Sequence, residues 1–227
     1  MKCTFLGHAA VLIEALDYKI IIDPFLTHNP VYKKNDRDID GITHVLITHA
    51  HGDHVGDAIE IAKKNNALII SNAEIATILK SIDRDLNIHA MHIGGRATVD
   101  FGTVKMTPAL HGSGYVENDM IYDGGTPCGF LLKVADKTIY HAGDTGLTYD
   151  MKLLENSLID LAFLPIGGNY TMDVDDAVIA VDFIKPDKVV PIHYNTFDQI
   201  QADPNDFKDK VSQSDVIILN PGEYTEL

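Results

Sequence analysis

The chain has 227 residues, 45% of them hydrophobic, which is enough to bury a substantial core and too apolar for an unfolded tail. Its 33 acidic against 18 basic residues give a formal charge of −15, which argues against a long nucleic-acid partner, since phosphate binding normally needs a basic face. No apolar run approaches the ~20 residues of a membrane span, and Gly7 and His8 interrupt the N-terminus before a signal peptide can form, so a soluble cytoplasmic protein is expected.

In chain order, Phe5-Leu6 and Val11-Leu12-Ile13-Glu14, a turn at Asp17-Tyr18, and Ile20-Ile21-Ile22 predict a hairpin meander that Asp23-Pro24 ends. The apolar run Val45-Leu46-Ile47 reads as a buried strand. A helix over about 53–64, a strand over 68–70 and a second helix over about 73–79 follow it. Further strands are expected near 97–99, 104–107, 129–134 and 137–140. The second half then echoes the first: a strand over 160–165 ends in Gly167-Gly168-Asn169-Tyr170, a helix covers about 174–184, and a strand over 188–192 ends at His193. Strand, glycine-containing loop, helix and strand thus occur in both halves. This pattern predicts one domain over 1–227, built of two similar halves packed sheet against sheet with helices outside. An α/β four-layer sandwich suits it better than a doubly wound parallel sheet. Cys3 and Cys128 have no metal-type spacing and read as small core residues.

The densest chemistry lies in Thr48-His49-Ala50-His51-Gly52-Asp53-His54, which places three imidazoles and a carboxylate directly after a strand. Gly52 lets the backbone turn, so the groups converge at the strand's C-terminal end. Imidazole with carboxylate is a donor set for zinc, manganese or iron, not for calcium or magnesium alone. One loop cannot surround two metals, and three other strand ends offer partners. His111 sits in Ala109-Leu110-His111-Gly112, Asp144 in Ala142-Gly143-Asp144-Thr145-Gly146, and His193 in Pro191-Ile192-His193-Tyr194.

A His-x-His-x-Asp-His motif followed by a histidine, an aspartate and a histidine, each closing a strand, resembles the metallo-β-lactamase superfamily along nearly the whole chain. The resemblance implies the metallo-β-lactamase-like αββα fold. It assigns His49, His51 and His111 to a first metal and Asp53, His54 and His193 to a second, with Asp144 bridging them. His51 stands where flavodiiron oxidoreductases carry a carboxylate, and His54 with Asp144 sets the chain apart from true zinc β-lactamases. Nucleic-acid-processing members carry basic arms or extra domains, and glyoxalase II-type thioesterases a helical C-terminal domain; only a short tail follows His193. The segments Gly7-His8-Ala9-Ala10, Ile22-Asp23-Pro24-Phe25, 164–172 and 191–197 resemble small metal-dependent hydrolases related to ascorbate-6-phosphate lactonase and, more distantly, to N-acylphosphatidylethanolamine phospholipase D.

Around these ligands, Asp23 is expected to orient a metal-bound histidine, and His141 to be packed near Asp144. His8, Gly168, Asn169, Tyr194 and Asn195 are candidate substrate contacts: His8 at the site mouth, Gly168 and Asn169 in a backbone nest for an anion, Tyr194 and Asn195 beside a ligand. The cofactors expected are two divalent transition-metal ions, Zn or Mn. The activity expected is hydrolysis of a small molecule, a lactone or other carboxylic ester, through a metal-bridging hydroxide that Asp53 orients. A phosphodiesterase of the same fold, a non-catalytic metal-binding or sensor protein, and an iron redox protein are the alternatives. The partners expected are a small-molecule substrate and no nucleic acid; a homo-oligomer stays open.

Overall fold

The computed structural model describes residues 1–33 and 39–227. Strands β1 (Lys2–Gly7), β2 (Ala10–Ala15) and β3 (Tyr18–Ile22) form the antiparallel meander, and β4 (His44–Leu46), β5 (Leu68–Asn72) and β6 (Ile88–Met91) extend it in parallel. The second sheet repeats this change of direction. β7 (Arg96–Val99) and β8 (Gly102–Pro108) lead into a separate hairpin, β9 (Gly114–Glu117) with β10 (Met120–Asp123), and then to β11 (Cys128–Val134) and β12 (Lys137–His141). Pairing is antiparallel from β7 through β8 and β11 to β12, then parallel through β13 (Leu161–Pro165), β14 (Lys188–Ile192) and β15 (Asp215–Val216). β16 (Tyr224–Glu226) crosses back to pair with β1, closing the first sheet with the chain's last residues.

Strand periodicity sorts the side chains into layers. In β3, Ile20 and Ile22 face the second sheet, whereas Ile21 faces the helices. In β13, Leu161 and Phe163 face the first sheet and Ala162 faces outward. The two sheets therefore share one apolar layer, which also holds Cys3 and Cys128 as free thiols; burial pushes the Cys3 thiol up to about 12 and raises Cys128 as well. Helices α1 (Gly52–Val55), α2 (Ala58–Asn65) and α3 (Ala73–Ile82) cover the first sheet, and α4 (Val174–Ile184) and α5 (Pro204–Lys210) cover the second. The order of layers is helix, sheet, sheet, helix, the expected α/β sandwich. Among the described residues no helix is long and apolar enough to cross a membrane.

Local chemistry sets most boundaries. The Asn72 side chain accepts from the Ile75 N–H to start α3, and Asp173 accepts from Asp176 to start α4. α4 stops at Lys185, in the left-handed region, and Pro186 follows. The single helix expected over 53–64 is instead two. Gly56 breaks it at φ +42°, where any Cβ would collide with the Pro24 carbonyl and Phe25. Asp57 then clamps the loop after β3: its backbone N–H donates to Pro24 O at 2.9 Å, and its carboxylate accepts from the Leu26 and Thr27 N–H groups at 2.9 and 3.0 Å. This clamp fixes the short α1, which carries Asp53 and His54, against the end of β3.

Candidate metal centre

β1, β3 and β4 run one way in the first sheet, and β8, β12 and β14 run one way in the second. The loop after each delivers a polar residue to one edge of the sandwich: His8 after β1, Asp23 after β3, His49 through His54 after β4, His111 after β8, Asp144 after β12 and His193 after β14. Cross-links hold the loops in register. The Ala50 N–H donates to Ser113 Oγ at 3.1 Å, tying the motif loop to the His111 loop. The Leu110 N–H donates to Thr145 Oγ1 at 2.9 Å, tying that loop to Asp144. The backbone is bent hard here. His8, Asp23 and His193, none of them glycine, have φ between +46° and +57°, a left-handed conformation that costs of order 1 kcal/mol or more per residue. Gly167 is required because a Cβ would strike the His193 carbonyl oxygen.

The side chains form three overlapping groups whose ligand atoms lie within 4.8 Å of one another: His49, His51 and His111; His49, His54 and Asp144; and His8, Asp53, His54 and His193. Asp144 stands between them. Its Oδ2 lies 2.9 Å from His193 Nε2, 3.4 Å from His54 Nε2 and 3.6 Å from His111 Nε2.

Behind these side chains, Asp23 is fully buried and accepts three hydrogen bonds: from Thr48 N–H at 2.8 Å, Thr48 Oγ1–H at 2.6 Å and His54 Nδ1–H at 2.8 Å. Because the Thr48 hydroxyl donates to Asp23, it must accept from His49 Nδ1, 3.0 Å away. One carboxylate therefore holds the Nδ1–H of two histidines and aims both Nε2 atoms at the site. His49 Nε2 then stands 3.0 Å from His51 Nδ1.

Electrostatics favour ligation by His49, His51 and His111. Burial holds His49 well below the ordinary imidazole pKa and also lowers His51 and His111, so these rings are neutral, the form that binds a metal. Burial opposes charge on His54 too, but the Asp144 and Asp23 carboxylates outweigh it and raise its pKa well above the usual value. Burial would push Asp144 up, yet His54 and His193 keep it well below the carboxylate range. Asp53 follows the same balance, with His8 and His54 overcoming burial. The donor set fits divalent transition metals. Three of its buried atoms, His54 Nε2, Asp144 Oδ1 and His193 Nδ1, have no hydrogen-bond partner, which is costly unless another group engages them.

A cavity of about 220 Å³ opens onto the cluster, lined by His51, Asp53, His111, Asp144, Tyr170, His193 and Phe197. It contains none of the five candidate substrate contacts. His8 is not at the mouth but 1% exposed, beneath Asp53 and His193. Gly168 donates its N–H to Met172 O at 3.0 Å, so the expected anion nest is closed on itself, and Asn169 is an exposed turn residue outside the cavity lining. Tyr194 packs toward the α4 layer. The Asn195 amide closes a ring with Ala202, donating to its carbonyl at 3.0 Å and accepting from its N–H at 2.9 Å. The positive φ of His193 and Asn195 turns the chain so that Tyr194 and Asn195 both leave the site. In their place Tyr170 and Phe197 reach the cavity, one residue beyond Asn169 and two beyond Asn195. His141 is buried as a packing residue: its Nε2 bonds Ala9 O at 2.9 Å and its Nδ1 accepts from Gly143 N–H at 3.1 Å.

Comparison with known proteins agrees with this architecture. The β-lactamase superfamily domain model matches residues 18–194. A UPF0173 metal-dependent hydrolase of Alkaliphilus metalliredigens is 52% identical over 227 residues, covering 98% of each chain. Another, from Natranaerobius thermophilus, is 47% identical over the full length of both. Among solved structures, a metallo hydrolase from the hyperthermophilic archaeon Ignicoccus hospitalis matches with a TM-score of 0.88 at 39% identity, over 99% of this chain and 97% of that one. The chain therefore belongs to the β-lactamase superfamily and, within it, to the UPF0173 metal-dependent hydrolases.

Proposed function

We propose that the enzyme hydrolyses small carboxylic esters, lactones foremost, at a two-metal centre. His49, His51 and His111 would hold one divalent ion, Asp53, His54 and His193 the other, with Asp144 shared between them and Zn or Mn as the metals. The observation that carries this reading is Asp144 Oδ2, within 3.6 Å of an imidazole nitrogen from each set. When bound, such a pair supplies Lewis acidity and lowers the pKa of water.

The protein's own contribution is placement. In ester hydrolysis, the water oxygen bonds to the carbonyl carbon, the bond from that carbon to the alcohol oxygen breaks, and a proton of the water ends on the departing alcohol oxygen. Asp53 faces the cavity with a side chain 32% exposed. Its depressed pKa keeps it ionised, so it accepts a hydrogen bond from the attacking water and fixes its approach instead of storing the proton. Tyr170 and Phe197 add two aromatic rings to the lining, and no lysine or arginine stands among the cavity residues. That wall suits an uncharged, partly apolar ester better than a phosphodiester, whose charge would rest on the metals alone. The volume, about 220 Å³, is below the roughly 300–1,000 Å³ of sites for drug-sized ligands. It fits a substrate of few atoms.

The test is a parallel assay of chelator-stripped and Zn- or Mn-loaded protein on γ- and δ-lactones, p-nitrophenyl esters and bis-p-nitrophenyl phosphate. Metal-dependent turnover of lactones and esters above the phosphodiester is expected. Cleavage of the phosphodiester alone would reject the ester reading.

A further inference from the structure

His8 has no part in the proposed mechanism, yet it is built into the centre. Its ring is 1% exposed and enclosed by other rings: His193 at 4.2 Å between centroids, Phe197 at 5.4 Å and Phe25 at 5.7 Å. On one side Nδ1 lies 3.0 Å from Thr196 Oγ1; on the other, Nε2 lies 3.2 Å from Asp53 Oδ2. Its backbone carbonyl also accepts from the His193 N–H at 2.7 Å.

These contacts select one tautomer. Thr196 Oγ1 either donates to His8 Nδ1 at 3.0 Å or accepts from it while donating to Tyr194 O at 3.5 Å, and the second arrangement spends the hydroxyl proton on a contact at the limit of hydrogen-bond reach. If Thr196 donates to Nδ1, the ring proton sits on Nε2 and faces Asp53. In the opposite tautomer a bare Nε2 lone pair would face a carboxylate oxygen at 3.2 Å, which repels. The Nε2–Oδ2 contact lies off the ideal hydrogen-bond line, so Nε2 is otherwise an unpartnered buried atom with Asp53 within reach.

We propose that His8 is a positioning residue for Asp53: with its tautomer set by Thr196, it holds Oδ2 from behind so that Oδ1 is presented to the second metal and to water. The inference rests on the two-metal reading above and assigns a role to residues on the far side of it from the substrate. Ligating carboxylates are commonly fixed by such outer hydrogen bonds, and losing one weakens metal affinity or activity about 10- to 100-fold.

Metal binding read without substrate tests this separately from the ester reading. Apo protein is titrated with Co(II), following absorbance, and with Zn(II) by competition against a chromophoric chelator. His8→Phe keeps the ring packing and removes both nitrogens. It is expected to weaken the second ion about 10- to 100-fold, leaving the first unchanged, and to lower kcat more than it raises KM. Should His8→Phe not fold, Thr196→Val carries the same test from the other end of the relay, and Thr196→Ser should restore wild-type affinity. The two substitutions should not add: Thr196→Val in a His8→Phe background should cost nothing further, because both act through one chain of contacts. Unchanged second-site affinity in either variant overturns the proposal, as do fully additive losses. A changed Co(II) spectrum in His8→Phe at saturating metal would instead make His8 a ligand and also overturn it. Absence of a second ion in the wild type removes the site on which the inference stands.

Discussion

Asp23 offers the sharpest test of how this fold prepares a metal site. In Asp23→Asn one carboxylate oxygen becomes an NH₂ of nearly the same size, so packing is kept and only the polarity of one atom changes. If the amide nitrogen replaces Oδ1, it meets the Thr48 N–H, now 2.8 Å away, donor against donor. If it replaces Oδ2, the Thr48 hydroxyl can turn to accept, but His54 Nδ1, 2.8 Å away, must also become an acceptor. The His54 proton then moves to Nε2, the atom 3.4 Å from Asp144 Oδ2 and meant for the metal. When the Thr48 hydroxyl turns, it also ceases to accept from His49 Nδ1 in the geometry that exposes His49 Nε2. Either arrangement leaves a buried group mispaired, worth roughly 1–3 kcal/mol. The expected consequence is a 10- to 100-fold loss of metal affinity, about 1.4–2.7 kcal/mol. The loss should fall on the ion held by His54 first. Chelator competition on wild type and Asp23→Asn, with circular dichroism on both apo forms, measures it. Unchanged affinity in a folded variant would refute the claim that Asp23 sets the two tautomers.

Three further outcomes are expected. Elemental analysis of fully loaded protein should find two transition-metal ions per chain, falling to one in His193→Ala; no more than one in the wild type would reject the two-metal centre. Asp53→Asn should fold but lose far more in kcat than in KM, because its contact with the attacking water strengthens in the transition state; normal turnover would remove Asp53 from the mechanism. Loading should also differ in protons. Against its burial, Asp144 and Asp23 keep His54 protonated near neutral pH, so filling its site should release a proton and weaken as pH falls; His49, His51 and His111 are lowered by burial and should release none. Dye-monitored titration in weak buffer reads this, and equal release at both sites would contradict it.

Much of the fold was legible because its information is local. The aliphatic runs Val11-Leu12-Ile13 and Ile20-Ile21-Ile22 announce β2 and β3, and α4 and β14 occupy the residues expected for them. Two elements that were not predicted also carried local signals. Asp203-Pro204 is an N-cap followed by a proline in the first turn, and it opens α5. Asn118 and Asp119, both at positive φ, form the two-residue connection between β9 and β10. Other features had none. β16 is a three-residue strand whose partner, β1, lies at the opposite end of the chain. The break at Gly56 is only hinted at by glycine's poor helix propensity; what fixes it is the close approach of Pro24, from a distant loop, and the Asp57 clamp on that loop.

The site divides the same way. Metal-binding side chains announce themselves because few residue types can do the work, and strand ends are where this fold brings them together. Substrate contacts do not, because any residue type can line a wall, and sequence adjacency to a candidate ligand is a poor guide where the chain turns as sharply as it does at His193. Tyr194 and Asn195 adjoin His193, but the left-handed turn at His193 sends them outward and returns the chain to the cavity only at Phe197. His8 fails as a mouth residue for a related reason. The turn that brings it to the ligand edge continues into β2, which buries the imidazole beneath Asp53. A histidine placed there, with a hydroxyl on one nitrogen and a carboxylate on the other, is better suited to holding a ligand than to meeting a substrate. The polar residues nearest the chemistry therefore fall into two ranks: in the outer one Asp23 and Thr48 hold Nδ1 of His54 and His49 and so aim Nε2 of each at the site, the arrangement that the proposal extends to Asp53 through His8 and Thr196.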